Sequence, residues 1–189
     1  MGIKSEVKKA TEVLNKGGTI LYPTDTVWGI GCDATNTRAV NKIYELKVRV
    51  PQKSLIILVS DVKMLEQYVE NIPDIAFDLI KNINEPLTII YDQGRNVSKD
   101  VTAPDKTIAI RIPKNEFCNK LLVEFKKPIT STSANISGDI TPLSYSKISD
   151  QIKNSVDYIV KVNRDIISRP RPSTIIKIQD NGEIEIIRN

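Results

Sequence analysis

Three polar clusters in this chain combine hydroxyls, amides and cations in a way that suits an anionic, phosphate-rich ligand. They are Pro23-Thr24-Asp25-Thr26-Val27-Trp28-Gly29, Lys47-Val48-Arg49 with Lys53, and Ser131-Thr132-Ser133-Ala134-Asn135-Ile136-Ser137-Gly138. Each is joined to an apolar, strand-like run, and open α/β sheets bind ligands where strands run out. Arginine offers a planar fork that matches two phosphate or carboxylate oxygens, and lysine a mobile point charge. After Pro128-Ile129-Thr130, the small residues Ser131 to Asn135 expose backbone N–H groups beside hydroxyls, which suits a nest around an anion. Each cluster also has a plainer reading. Lys47, Arg49 and Lys53 suit the end of a helix, where cations complement the macrodipole. Thr24-Asp25-Thr26 can be a turn bonded to itself. Arg111 lies inside the alternating run Ile108-Ala109-Ile110-Arg111-Ile112. A buried, unpaired guanidinium is costly, so Arg111 either faces solvent or meets a carboxylate or phosphate in a cleft. Ser173-Thr174, after Arg169-Pro170-Arg171-Pro172, can be the entry to a strand.

The composition removes whole classes of chemistry. There is no histidine, so triads with a histidine base and histidine-ligated metal sites are excluded. Nothing matches GxxxxGK[ST] or GxGxxG, so any nucleotide must be held by side chains. Positioning and charge stabilisation by Lys and Arg are the catalytic means left open. Two isolated cysteines, Cys32 and Cys118, argue for a reducing, cytoplasmic setting and against a disulfide framework or a CxxC metal site. The net charge of +4 is compatible with a phosphate ligand or a nucleic acid. The N-terminal residues lack a signal-peptide h-region, and no apolar stretch approaches the roughly 20 residues of a membrane span.

These side chains need a frame. A chain of 189 residues, 40 % hydrophobic and 26 % charged, predicts one soluble globular domain over 1–189 with a real core. Val7, Ala10 and Leu14 recur at helical spacing up to Gly17-Gly18. Residues 19–22 read as a strand ended by Pro23. Val40, Ile43, Tyr44 and Lys47 mark a second helix, with Asn36 or Thr37 as N-cap. The continuous apolar run 54–59 predicts a strand buried on both faces. Helices follow near 62–70 and 74–83, begun by Asp61 and Pro73, then strands over 86–91 and 107–112. Residues 93–106 read as a surface loop. Phe117, Leu121, Leu122 and Phe125 outline another helix, and Ile129 to Ser131 leads into the third cluster as a strand. A helix near 144–153, a strand over 156–160 and a final pair of strands over 174–178 and 183–187 complete the pattern. Asn181-Gly182 suits a tight antiparallel hairpin. The whole predicts an α/β fold, a twisted open mixed sheet with flanking helices.

Taken in order, the motifs resemble the YrdC-domain family, the L-threonylcarbamoyladenylate synthases. The residues that carry the resemblance are Pro23-Thr24-Asp25-Thr26 with Trp28-Gly29, Lys47 and Arg49, Arg111-Ile112-Pro113, Ser133-Ala134-Asn135 with Ser137-Gly138, and Pro172-Ser173-Thr174-Ile175. They span the chain from about residue 10 to Arg188, and their order makes the match specific although each alone is not. Departures are Lys53-Ser54 in place of Asn-Pro, Leu58 in place of His, Leu143 in place of Thr, Pro172 in place of Glu, and Asn82 to Pro86 in place of Trp-Pro-Gly-Pro.

The resemblance implies a YrdC-like fold of the short, single-domain type, without the extra C-terminal domain of longer relatives. It implies a nucleotidyltransferase that makes threonylcarbamoyl-AMP and pyrophosphate from L-threonine, bicarbonate and ATP. The product would serve downstream threonylcarbamoyl-transferase proteins in modifying tRNA. By similarity, Lys47 and Arg49 are catalytic. Thr26, Arg111, Ser133 and Ser173 hold L-threonine, with Arg111 on its carboxylate. Arg49, Lys53, Thr107, Asn135 and Arg188 face ATP. Mg²⁺ is bound through the phosphates, with no protein side chain as ligand. Alternatives on the same fold are a non-catalytic protein binding double-stranded RNA or tRNA, a paralogue of unassigned activity, and carbamoyl-adenylate chemistry on a different acceptor. An aromatic content of 5 % and the absence of a basic run interleaved with aromatics weigh against binding alone.

Overall fold

The computed structural model describes residues 2–48, 54–165, 172–179 and 181–189. In chain order the elements are α1 (Ile3–Asn15), β1 (Ile20–Tyr22), β2 (Gly29–Gly31), α2 (Thr37–Lys47), β3 (Ile56–Leu58), α3 (Val62–Leu65), α4 (Asp74–Asn82), β4 (Leu87–Tyr91), β5 (Ile108–Arg111), α5 (Glu116–Phe125), β6 (Ile129–Ser133), a 3-10 turn (Tyr145–Lys147), α6 (Asp150–Ser155), β7 (Tyr158–Ile159), β8 (Thr174–Ile178) and β9 (Ile184–Arg188). The strands form one mixed sheet in the order β7-β1-β2-β6-β3-β5-β4-β8-β9. β3 runs parallel to β5 and antiparallel to β6; β4 runs antiparallel to β5 and parallel to β8. The chain has the mixed α/β architecture that its alternation of elements predicts.

The helices form where local chemistry favours them. Asn36 caps α2 by accepting the N–H groups of Arg38 and Ala39, and Asn115 caps α5 through Cys118 N–H at 3.0 Å, each satisfying donors the helix cannot. Gly17, at φ +72°, lets the chain leave α1 in the left-handed conformation that glycine adopts at low cost. One face of the sheet packs on α2, α3, α4 and α6 through Val40, Ile43, Leu65, Ala76 and Ile152 against Ile57, Ile89, Ile110 and Ile176. The other face packs on α1 and α5 through Val7, Leu14, Phe117, Leu121 and Phe125 against Ile20, Tyr22, Leu58 and Ile129. Only part of this second face is covered.

Three expectations are corrected. The helix expected near 62–70 stops at Leu65, because the following residues bond elsewhere: Arg95 N–H donates to Tyr68 O and Glu70 N–H to Gln93 O. The helix expected near 144–153 is split into the 3-10 turn and α6, which Ser149 begins by accepting Ile152 N–H. The loop 93–106 is not all surface: Val101 and Ser98 are buried, and Ser98 N–H donates to Ala34 O. Towards the C-terminus, β8 and β9 are antiparallel as expected, with Gly182 at φ +85°.

Candidate active site

The uncovered part of the second face is the floor of an open cavity of about 650 Å³. Strand periodicity decides what faces it. On β5, Ile108 and Ile110 enter the core under α2 and α4, while Ala109 and Arg111 line the cavity, as alternation requires. On β6, Ser131 and Ser133 line it, and on β3 so does Ile56. Thr24, Thr26, Val27, Ile140, Leu143, Pro172 and Ile187 also line it. Hydroxyls and two guanidiniums share the lining with apolar side chains.

Arg111 is the central group. It is 5 % exposed, and burying a cation requires partners. Its Nη1 donates to Thr26 Oγ1 at 3.2 Å, and its Nη2 lies 3.5 Å from Asp25 Oδ1. Asp25 is fixed by accepting Lys114 N–H at Oδ2, 3.0 Å. The pairing is incomplete: Arg111 Nε and Asp25 Oδ1 are buried with no hydrogen-bond partner among the described residues. The loop that carries Thr26 is bonded to itself. Thr24 Oγ1 donates to Val27 O at 2.7 Å and accepts Thr26 N–H at 3.0 Å. The first cluster is thus a turn bonded to itself that also presents a hydroxyl and a carboxylate to the arginine.

Arg188 supplies a second cation. Its guanidinium donates to Ser173 O through Nε at 3.1 Å and Nη2 at 2.8 Å, and to Ser173 Oγ at 3.3 Å. A register irregularity brings it there. β9 pairs Arg188 with Ile175 and Ile186 with Ile176, leaving Ile187 as an extra residue. Without that bulge Arg188 would turn to the opposite face, since a one-residue slip reverses every side chain. Burial first, and then the neighbouring Arg111 charge, lowers the Arg188 pKa from its usual value. Two arginines thus share one cavity, which marks a place for an anion.

Lys47 behaves differently. It is 2 % exposed, and its ammonium donates to Ser133 O and Asn135 O, both at 2.6 Å. It ties the end of α2 to the turn after β6 and does not line the cavity. The nest expected in that turn is not formed. β6 runs on to Ser133 between β2 and β3. Ala134 N–H donates to Trp28 O, Asn135 N–H to Ser133 O and Ser137 N–H to Lys47 O. Those donors are spent inside the protein because the strand continues. Asn135 donates from Nδ2 to Ile136 O and Asp139 O, and its buried Oδ1 has no partner among the described residues.

The structure brings Thr26, Arg111, Ser133, Ser173 and Arg188 to the cavity and leaves Asn135 and Lys47 at its margin. Thr107 is not among the lining residues; its hydroxyl donates to Asp105 at 2.7 Å. Arg49 and Lys53 lie outside the described residues. Sequence reasoning missed Asp25 as the partner of Arg111, and Thr88, whose Oγ1 lies 2.8 Å from Ser173 Oγ. A signal for Thr88 exists: it is the only polar residue between Leu87 and Tyr91. Both thiols are free and buried. Burial pushes the Cys32 thiol up to about 12 and raises that of Cys118 further, so neither is a nucleophile at neutral pH.

Known proteins resemble the chain in sequence and fold. The family model Sua5_yciO_yrdC, described as "Telomere recombination", matches residues 12–189. The chain is 34 % identical over 187 residues to the threonylcarbamoyl-AMP synthase of Pseudoalteromonas translucida (strain TAC 125), covering 97 % of this chain and 98 % of that protein. It is 37 % identical over 188 residues to the putative threonylcarbamoyl-AMP synthase of Methanocaldococcus jannaschii, covering 97 % and 87 %. The crystal structure of P. abyssi Sua5 complexed with L-threonine superposes with a TM-score of 0.82 at 30 % identity, over 90 % of this chain and 50 % of that longer protein. With a match over nearly its whole length, the chain belongs to the Sua5/YciO/YrdC family.

Proposed function

We propose that the protein is an L-threonylcarbamoyladenylate synthase, a nucleotidyltransferase that converts L-threonine, bicarbonate and ATP into threonylcarbamoyl-AMP, pyrophosphate and water. The observation that carries this reading is the pair of cavity arginines. Arg111 is tethered loosely to Asp25, and Arg188 has only Ser173 as partner among the described residues. A floor with two such cations suits a substrate that brings a carboxylate and phosphates. The amino-acid carboxylate would meet Arg111, with Thr26, Ser133 and Ser173 around it; that the P. abyssi relative forms a complex with L-threonine supports an amino acid as ligand. The apolar rim of Val27, Ile140 and Leu143 offers contact to a methyl group and a nucleoside.

In this reaction the amine adds to the carbon of bicarbonate or CO₂. The resulting carbamate oxygen attacks the α-phosphorus of ATP, and pyrophosphate leaves. Negative charge grows on the phosphoryl oxygens, and fixed cations that need no reorganisation stabilise it. Arg188, Arg49 and Lys53 are the cations assigned to ATP. Lys47 acts by holding the Ser133–Asn135 turn while adding positive potential. The hydroxyl and guanidinium donors of the cavity suit phosphate oxygens better than a bare divalent cation. Asp25 is committed to Arg111 and to Lys114 N–H. Mg²⁺ would therefore enter with the ATP phosphates, where it neutralises charge. A cavity of about 650 Å³ that holds the buried side chains of Arg111, Thr26 and Ser173 favours this small-molecule reading over RNA binding alone, which needs only a basic surface. The product would pass to the proteins that modify tRNA.

The test is pyrophosphate release from ATP, Mg²⁺ and bicarbonate with each amino acid in turn. Release that requires both bicarbonate and L-threonine is expected. Equal release with serine, valine or no amino acid would reject the synthase.

A further inference from the structure

We propose that Thr88 is a positioning residue that gives its hydroxyl proton to Ser173 and thereby fixes Ser173 as a hydrogen-bond donor toward the cavity. Ser173 then presents its proton to an acceptor group in the amino-acid subsite, a carboxylate. The inference rests on the synthase reading only for the identity of that ligand.

Thr88 lies on β4, fully buried, paired with Arg111 on one side and Ile175 on the other. A hydroxyl carries one proton and two lone pairs. Among the described residues the one hydrogen-bond partner of the Thr88 hydroxyl is Ser173 Oγ, at 2.8 Å. Arg188 also points Nη2 at Ser173 Oγ, at 3.3 Å, and a guanidinium can only donate. If Ser173 gave its proton to Thr88, the Thr88 proton would be buried without an acceptor, an arrangement that proteins avoid. With Thr88 as donor, both Ser173 lone pairs are taken, one by Thr88 and one by Arg188. The Ser173 proton then has one direction left, into the cavity that Ser173 lines. A hydroxyl proton so directed suits an acceptor such as a carboxylate oxygen and not an ammonium. Thr88 touches no ligand itself, since it does not line the cavity.

The experiment compares wild type with Thr88→Val, Thr88→Ser and Ser173→Ala, titrating each calorimetrically with L-threonine, L-threonine amide and ATP. Valine keeps the shape of threonine and lacks the proton; serine keeps the proton and lacks the methyl. Thr88→Val is expected to weaken L-threonine about tenfold, roughly 1.4 kcal/mol, to narrow the preference for the acid over the amide by a similar factor, and to leave ATP unchanged. Thr88→Ser restores both. In the Ser173→Ala background Thr88→Val has no further effect, which keeps the claim testable if either single variant folds poorly. An unchanged acid-over-amide preference in Thr88→Val overturns the inference, as does a Thr88→Ser variant as impaired as Thr88→Val. Wild-type protein that binds no L-threonine overturns the synthase reading together with the subsite; a wild type that binds beside an indifferent valine variant overturns the role of Thr88 alone.

Discussion

Along β6 and β3 a single sheet face changes character within two residues. Ile129 and Leu58, paired with each other, are fully buried beneath α1 and α5. Ser131 and Ile56, the next pair on the same face, line the cavity. The covered end is filled by Phe117, Leu121 and Phe125; the open end holds hydroxyls and the two arginines. Tyr22 belongs to the boundary. Its ring lies against β2, where a Cβ on Gly31 would come within 3.0 Å of the ring and 2.2 Å of Thr130 O. Its hydroxyl donates to Thr130 O at 3.1 Å. Arg111 also sits on the boundary, paired with Leu58 of the covered end and with Thr88 of the open one. The difference teaches that one set of strands can serve both ends. The apolar end supplies stability, and the rigidity it confers sets the polar groups of the other end in place without asking them to stabilise the fold.

Substitutions should separate the two ends. The largest effect is expected for Leu121→Ala, in the covered end, where removing a fully buried leucine costs about 2–5 kcal/mol. Urea unfolding should show that loss while L-threonine affinity stays within about twofold, a change of ~0.4 kcal/mol. A large affinity loss in this folded variant would merge the two ends into one unit. At the boundary, Arg111→Lys keeps the charge and loses the fork. L-threonine should bind about tenfold more weakly, roughly 1.4 kcal/mol, with ATP affinity little changed. Lost ATP affinity with intact L-threonine affinity would show that this arginine serves the other substrate.

The smallest effect concerns pH and lies again in the covered end. Burial pushes the Glu6 carboxyl up, but hydrogen bonds from Tyr158 and Lys161 N–H and the charges of Lys9 and Lys161 outweigh it, so its pKa is held below the usual value. A depressed carboxylate contributes stability above the unfolded pKa, near 4.3, and that contribution is lost as pH falls through the lower folded pKa. Glu6→Gln should therefore narrow the stability gap to wild type on acidification below about pH 4. A gap that widens there would contradict the assigned sign.

Much of the frame was legible because it rests on short-range periodicity. The spacing of Val7, Ala10 and Leu14 gave α1, and alternation on β5 placed Arg111 opposite Ile110 and Ile112. The rest depends on partners distant in sequence. Nothing near Ile187 announces the bulge that turns Arg188 into the cavity. Nothing near Asp25 announces Arg111, and the inward turn of Lys47 onto two carbonyls follows only once α2 and β6 are adjacent. The expected nest failed for a related reason: local composition shows which N–H groups a turn might expose, whereas the neighbouring strands decide which are already bonded.

The most direct test of the division is the L-threonine-induced rise in unfolding free energy, measured side by side for wild type, Leu121→Ala and Arg111→Lys at one ligand concentration. A ligand at about 100 times its Kd adds roughly 2.7 kcal/mol. The account predicts equal increments for wild type and Leu121→Ala, despite their different baselines, and about half that increment for Arg111→Lys, whose tenfold weaker binding leaves roughly 1.4 kcal/mol. An increment in Arg111→Lys equal to that of wild type, or one lost in Leu121→Ala, would contradict it.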